Sequence, residues 1–149
     1  MMSGYHRQPG LTAEAEWFDA EGQRFIRTGD VGRFDADGYL AIIGRNKDLI
    51  ITGGLNVYPK EIEEAIDALA GVAESAVIGL PHPDFGEAVT AVVVRGRDAS
   101  GLTAEGIIAA LKGNIAGFKV PKAVHFVDDL PRNAMGKVQK NLLRQRFSG

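Results

Sequence analysis

The order of apolar runs predicts an α+β fold, a small β-sheet flanked by helices, with a β-hairpin segment ahead of it. Three observations predict it. Two short β-rich runs, FIRTGDVGRF (25–34) and GYLAII (38–43), are separated by Asp35-Ala36-Asp37-Gly38, whose Asp-Gly step suits a tight hairpin turn. ESAVIGL (74–80) and AVTAVVV (88–94) are nearly continuous in apolar residues, the pattern of strands buried on both faces. Two amphipathic stripes bracket that strand pair, so from residue 48 onward the order reads strand, helix, strand, strand, helix, strand and a tail.

Residues 1–23 mix Gly, Pro and Glu without a sustained period and read as an irregular or weakly helical lead-in. DLIITGGLNVYP (48–59) is an apolar run interrupted by Gly53-Gly54, a mark of a turn or a close backbone approach. After Pro59, favoured at a first helical position, Ile62, Ala65, Ile66 and Leu69 share one stripe while Glu61, Glu63, Glu64 and Asp67 cover the other side. Gly71 closes this helix, and the loop PHPDFGE joins the two buried strands. A second helix is predicted over about Thr103–Ile115, a strand at 123–127 (AVHFV), and a short terminal helix in KNLLRQRF (140–147).

Composition limits the function classes. The 149 residues are 45% hydrophobic and carry a formal charge of −2, so no basic field recruits nucleic acid, and one ordinary globular core can form. The absence of cysteine removes thiol nucleophiles and zinc-thiolate sites. No stretch approaches a membrane span and no leader pattern is seen, so a cytoplasmic address is expected. His6, His82 and His125 do not cluster, and no metal site is expected.

Five places could carry chemistry. Asp30, at a strand end after a glycine turn, could accept hydrogen bonds from a ribose diol; plain turn chemistry is the alternative. Arg45 offers a planar fork for ribose, phosphate or carboxylate, or is a surface arginine at a strand end. Asn46-Lys47-Asp48, a polar break between apolar runs, is a candidate hinge. Gly53 and Gly54 could let a ligand lie against bare backbone or could form a structural turn. Lys137, after Met135-Gly136, places an ammonium at a mobile tip, where a movable charge could stabilise developing negative charge; a solvated lysine is the alternative.

In their order, RTGD (27–30), GYLAIIGRNKDLI (38–50), ITGGLNVYPKEIEEAI (51–66), GLPHPDFGEAV (79–89) and LPRNAMGKVQK (130–140) resemble the C-terminal part of the AMP-forming acyl-CoA synthetases, the superfamily that includes luciferases and peptide-synthetase adenylation domains. The resemblance covers at least residues 24–147 and is greatest toward fatty-acyl-CoA and malonyl-CoA ligases. It implies that residues 1–46 are the tail of an N-terminal adenylation domain and that 47–149 form a mobile C-terminal lid.

It also implies roles. Asp30 and Arg45 match the residues that contact the ribose of ATP, and Lys47 matches the hinge about which the lid turns. Gly53 and Gly54 match the loop that approaches the pantetheine channel of coenzyme A. Lys137 matches the catalytic lysine that reaches the α-phosphate and the carboxylate during adenylation. The implied cofactors are ATP/AMP and coenzyme A, with Mg2+ held through the N-terminal domain, and the implied substrate is a carboxylic acid. That domain's phosphate loop and acyl pocket are not seen in this sequence, so the chain alone is expected to form no acyl adenylate.

Two alternatives stand beside this reading. One is a protein-interaction module that presents Lys137 to a protein lysine acetyltransferase, since acylation of the matching lysine switches off members of the family. The other is a peptide-synthetase adenylation domain, although GGLNVYPKEIE is closer to the acyl-CoA ligase branch.

Overall fold

A computed structural model describes residues 4–148. Residues 1–3 of the predicted lead-in, and Gly149, lie outside the described residues.

The lead-in is more regular than expected. Pro9 starts a short helix, α1 (Pro9–Ala15), and the chain then forms a hairpin from β1 (Glu16–Phe18) and β2 (Arg24–Ile26). Trp17 faces Phe25 across it with ring centroids 5.2 Å apart. The hairpin that the sequence predicts follows as β3 (Asp30–Phe34) and β4 (Leu40–Arg45), antiparallel, with a register shift between Val31 and Gly32. The β-rich run expected at 25–34 is thus split at 27–29 into β2 and β3, and β1, which pairs through Trp17–Phe25 rather than through periodic burial, was not expected.

The main sheet begins after a 3-10 turn at Asn46–Asp48. The apolar run at 48–59 is interrupted at Gly53-Gly54 by a turn, one of the two readings the sequence left open, which makes two strands of it, β5 (Ile50–Thr52) and β6 (Leu55–Val57), where the element order had one. Helix α2 (Pro59–Asp67) leads to β7 (Val72–His82) and β8 (Gly86–Arg95), a long antiparallel pair that extends further into the PHPDFGE loop than expected. Helix α3 (Ala104–Lys112) starts where the Thr103 side chain accepts a hydrogen bond from the Gly106 N–H at 3.1 Å. It stops at Gly113, earlier than the predicted Ile115, as the low helix propensity of glycine explains. Strand β9 (Ala123–Val127) and helix α4 (Lys140–Phe147) match their predicted bounds.

In the sheet, β8 is central. One edge pairs with β7; the other pairs in parallel with β9 and, at Thr52↔Gly86, with β5. The middles of β7 and β8 are continuously buried, and successive side chains point to opposite faces as the pleat requires. Val77, Val89, Ala91 and Val93 pack with Ile62 and Ile66 of α2 and Ile107 and Leu111 of α3. Ala76, Ile78 and Val92 point the other way, onto Leu130 and Leu143. Helices therefore cover both faces, as the continuous apolar runs predict. Among the described residues every buried hydrophobic lies at or beyond Ile50, so the two hairpins before it contribute nothing to the buried core. No helix of the described residues is long and apolar enough to cross a membrane.

One turn recurs three times. In Asp19–Gln23, Asp35–Tyr39 and Asn133–Lys137, the first side chain's Oδ1 accepts from the N–H groups two and four residues on. In each, the first backbone N–H donates to the fifth carbonyl, and the fourth residue is a glycine at φ +80, +87 or +76. This is a three-residue hairpin loop with glycine in the left-handed region, spelled Asp/Asn-Ala-x-Gly each time.

Candidate functional site

Asp30 and Arg45 are brought together by strand pairing. They are register partners at the open end of the β3–β4 hairpin, and Arg45 Nε lies 3.0 Å from Asp30 Oδ1. The Asp30 N–H donates to Thr28 Oγ1 at 3.2 Å, and the Asn46 N–H donates to the Gly29 carbonyl at 2.9 Å. The hairpin end is thus tied to the turn that follows. One carboxylate and one guanidinium side by side offer acceptors and donors to a polyhydroxylated or anionic ligand.

Lys47 sits in the middle of that 3-10 turn and is exposed. Asn46 and Lys47 are exposed and Asp48 is half-buried; besides the Asn46 N–H bond to the Gly29 carbonyl, the turn has a long ion pair, Arg144 Nη2 to Asp48 Oδ1 at 3.9 Å. The turn thus lies between the β3–β4 hairpin and the separately cored sheet.

Gly53 and Gly54 have φ of +56 and +79, and a β-carbon on either would meet nothing within 4 Å. The turn, rather than crowding, requires glycine here: a two-residue hairpin with both φ positive. The loop before β8 holds it in place, the Gly53 N–H donating to the Phe85 carbonyl at 2.9 Å. Glu87 reinforces it, its Oε2 accepting from the Ile51 N–H at 2.7 Å where the β5–β8 ladder has a single rung.

Lys137 occupies the last position of the third Asp/Asn-Ala-x-Gly turn. Its side chain is exposed, and among the described residues no carboxylate lies within ion-pair distance of it. The loose tip expected here is instead a built loop. Asn133 Oδ1 accepts from the Met135 and Lys137 N–H groups, each at 3.0 Å, and Arg132 Nη1 donates to the Gly136 carbonyl at 2.8 Å. Arg132 also pairs with Glu74. Beyond the turn, Lys140 Nζ lies 2.6 Å from Glu63 Oε1. Both cations that flank Lys137 are thereby neutralised and Lys137 is not.

The hairpin end and the main-sheet unit meet at a cleft of about 410 Å3 whose walls include Asp30, Arg45, Asp48, Lys60, Glu63 and Lys140. Lys137, Gly53 and Gly54 do not line it. A second cleft of about 560 Å3 lies along the same seam, between Arg33 and Ile42 of the hairpin and Tyr58, Lys60 and Phe118. Sequence reasoning missed Glu63, Glu74, Glu87 and Arg132, whose partners are distant in sequence. The Asp-Ala-x-Gly repetition was the one available signal for the Lys137 turn. No group of three or more His, Cys, Asp or Glu among the described residues could hold a metal ion.

Comparison with known proteins places these features in context. Residues 61–137 match the family model for the AMP-binding enzyme C-terminal domain. A Rhodococcus jostii 3-[(3aS,4S,7aS)-7a-methyl-1,5-dioxo-octahydro-1H-inden-4-yl]propanoyl:CoA ligase is 48% identical over 145 residues, covering 97% of this chain and 27% of that enzyme. The FadD13 long-chain-fatty-acid–CoA ligase of Mycobacterium tuberculosis is 42% identical over 99% of this chain and 28% of its own length. ATP-bound MatB from Rhodopseudomonas palustris is 57% identical and superposes with a TM-score of 0.84 over 98% of this chain and 28% of that one. Its apo form, at the same identity and coverage, gives 0.74. The chain thus spans little more than a quarter of the length of the curated relatives it matches.

Proposed function

The chain belongs to the AMP-binding enzyme C-terminal domain family, and from that premise we propose that it is the lid region, with adjoining hairpins, of an AMP-forming carboxylate–CoA ligase. In the first half-reaction a carboxylate oxygen attacks the α-phosphorus of ATP, the α–β phosphoanhydride bond breaks, and pyrophosphate leaves with acyl-AMP remaining. In the second, the sulfur of coenzyme A attacks the acyl carbon and AMP departs. Asp30 and Arg45 hold the ribose, Lys137 brings its ammonium to the phosphate and carboxylate oxygens in the first step, and Gly53-Gly54 borders the pantetheine in the second. Lys47 lies at the pivot between the two orientations.

One observation carries this reading. Lys137 alone of the three cations in the 132–140 segment has no carboxylate partner, while Arg132 and Lys140 are each ion-paired. An unpaired, exposed ammonium on a preformed turn is free to neutralise charge elsewhere. A larger domain would face residues 4–46, which leave Phe34, Tyr39 and Leu40 exposed at 69%, 75% and 56% and have no buried core of their own. That division agrees with the proposed boundary at 46/47. The higher likeness to ATP-bound than to apo MatB supports an arrangement of hairpin and lid suited to nucleotide. Mg2+ would enter with ATP through the larger domain, and the enzyme would act in the cytoplasm on a fatty or other carboxylic acid.

The test is a graft. Replacing the matching quarter of MatB with this chain restores ATP–pyrophosphate exchange and thioester formation. Lys137→Ala in the graft lowers exchange about 100-fold or more while thioester formation from supplied acyl-AMP persists. Equal loss of both steps overturns the assignment. The exposure of Lys137 also favours a second reading, that a protein lysine acetyltransferase modifies it. Mass spectrometry after incubation with such an enzyme and acetyl-CoA detects the modification at Lys137, and its absence excludes this partner.

A further inference from the structure

The three Asp/Asn-Ala-x-Gly turns form an internal comparison. Their hydrogen bonds are the same, with Oδ1 accepting at 3.1 and 2.7 Å in the first, 3.0 and 2.8 Å in the second, and 3.0 and 3.0 Å in the third. Geometry therefore does not distinguish aspartate from asparagine: a carboxylate oxygen does the same work twice in this chain. A charged acceptor makes the stronger bond to a backbone N–H, so on turn stability alone aspartate is the better choice. Yet the turn that presents Lys137 is the one that uses asparagine.

The residue facing the first position explains the difference. In the first two turns it is Gln23 or Tyr39, neither of them a basic side chain. In the third it is Lys137, whose carbonyl accepts from the Asn133 N–H at 3.0 Å. Directly opposed residues carry their β-carbons about 5 Å apart, so an aspartate at 133 would put a full negative charge within reach of the ammonium. Arg132, the nearest cation in sequence, is already paired with Glu74 and so is not free to neutralise such a carboxylate.

We infer that Asn133 is a positioning residue for Lys137, fixing its backbone through two accepted hydrogen bonds while leaving the ammonium without a competing carboxylate. This deepens the reading of Lys137 as the cation of the adenylation step and rests on it. Asn133 touches no substrate in this role. Two properties are needed at once: an acceptor at Oδ1 and the absence of charge. Alanine at 133 removes the first, and aspartate preserves the first and removes the second.

The test uses the full chain, without nucleotide, so that its failure is separate from a failure of the graft assay. Backbone 15N order parameters at Gly136 and Lys137 are measured for the wild type, Asn133→Ala and Asn133→Asp, with the amide shifts of β7 and β8 confirming a native core. Order is expected to be near 0.85 in the wild type and in Asn133→Asp, and to fall below about 0.6 in Asn133→Ala. Paramagnetic relaxation of the same amides by an anionic and then a cationic nitroxide reads the local potential, a quantity that turn geometry alone does not move. The anionic-to-cationic ratio is expected to fall about twofold or more in Asn133→Asp. Disorder in Asn133→Asp, retained order in Asn133→Ala, or an unchanged nitroxide ratio in Asn133→Asp overturns the inference.

Discussion

Asp30 and Arg45 face each other across the β3–β4 ladder, and the same two side chains are ion-paired at 3.0 Å. Pairing by register fixes the site without any core beneath it. The side chains are 25% and 48% exposed, so solvent screens the pair and its contribution to stability is no more than about 1 kcal/mol. Asp30→Asn is expected to leave the thermal midpoint of the chain nearly unchanged. In the grafted ligase it loses a charge-assisted hydrogen bond to ribose, and the KM for ATP rises roughly tenfold to a hundredfold. A large loss of stability with unchanged KM would make the pair structural.

The diglycine turn predicts an asymmetric response to substitution. Asparagine tolerates the left-handed region and is common at the first position of such a turn. Gly53→Asn should therefore cost less than about 1 kcal/mol, and Gly54→Ala about 1–2 kcal/mol. Urea denaturation checks both. Equal costs would point away from backbone conformation, since open space surrounds both positions.

Glu63 closes an edge of the sheet. Its Oε1 accepts from the Val77 N–H at 2.8 Å, on the side of β7 that has no strand neighbour, and also pairs with Lys140. Both carboxylate and ammonium are mostly covered, at 19% and 15% exposed. Glu63→Ala leaves both donors without this partner and should cost about 2–3 kcal/mol, whereas Glu63→Gln keeps an acceptor and loses only part of that. Denaturant unfolding measures the difference, and faster hydrogen exchange at Val77 localises it.

Asp67 gives a pH dependence. Desolvation raises its pKa above the ordinary aspartate value and Glu74 adds to the rise, against lowering by hydrogen bonds with Ser75. The folded state then holds this proton more tightly than the unfolded one. Its contribution is fully present below the unfolded carboxylate pKa and is lost as pH rises through the folded pKa. Asp67→Asn should therefore be slightly more stable than the wild type at neutral pH, the gap closing on acidification through the carboxylate range. A 13C titration of the Asp67 carboxyl confirms the direction, and a midpoint below the ordinary value refutes it.

The sheet and its helices were legible because burial on both faces leaves an unbroken apolar signature in β7 and β8, and Pro59 and the Ile62–Ile66 stripe mark α2. Strand β9 and helix α4 were legible to the residue. The β1–β2 hairpin was not, since its stability comes from cross-strand pairs such as Trp17–Phe25 rather than from periodic burial. Its turn, Asp19-Ala20-Glu21-Gly22, nevertheless has the spelling of the turn that was recognised at Asp35. Lys137 was singled out by motif, and its turn has the local Asn-Ala-x-Gly spelling, but the Arg132–Glu74 pair that braces it spans the fold. Contacts of that kind leave no local pattern.

The central strand β8 joins its neighbours over very different chain separations. β7 reaches it through a short reversal, whereas β9 arrives in parallel after α3, with paired residues about thirty positions apart. Closing the shorter loop sacrifices less chain entropy, so assembly should begin with the β7–β8 ribbon and recruit β9 afterwards. During synthesis that ribbon would be complete before the Lys137 segment emerges, so the turn that carries Lys137 would be laid onto a platform already formed.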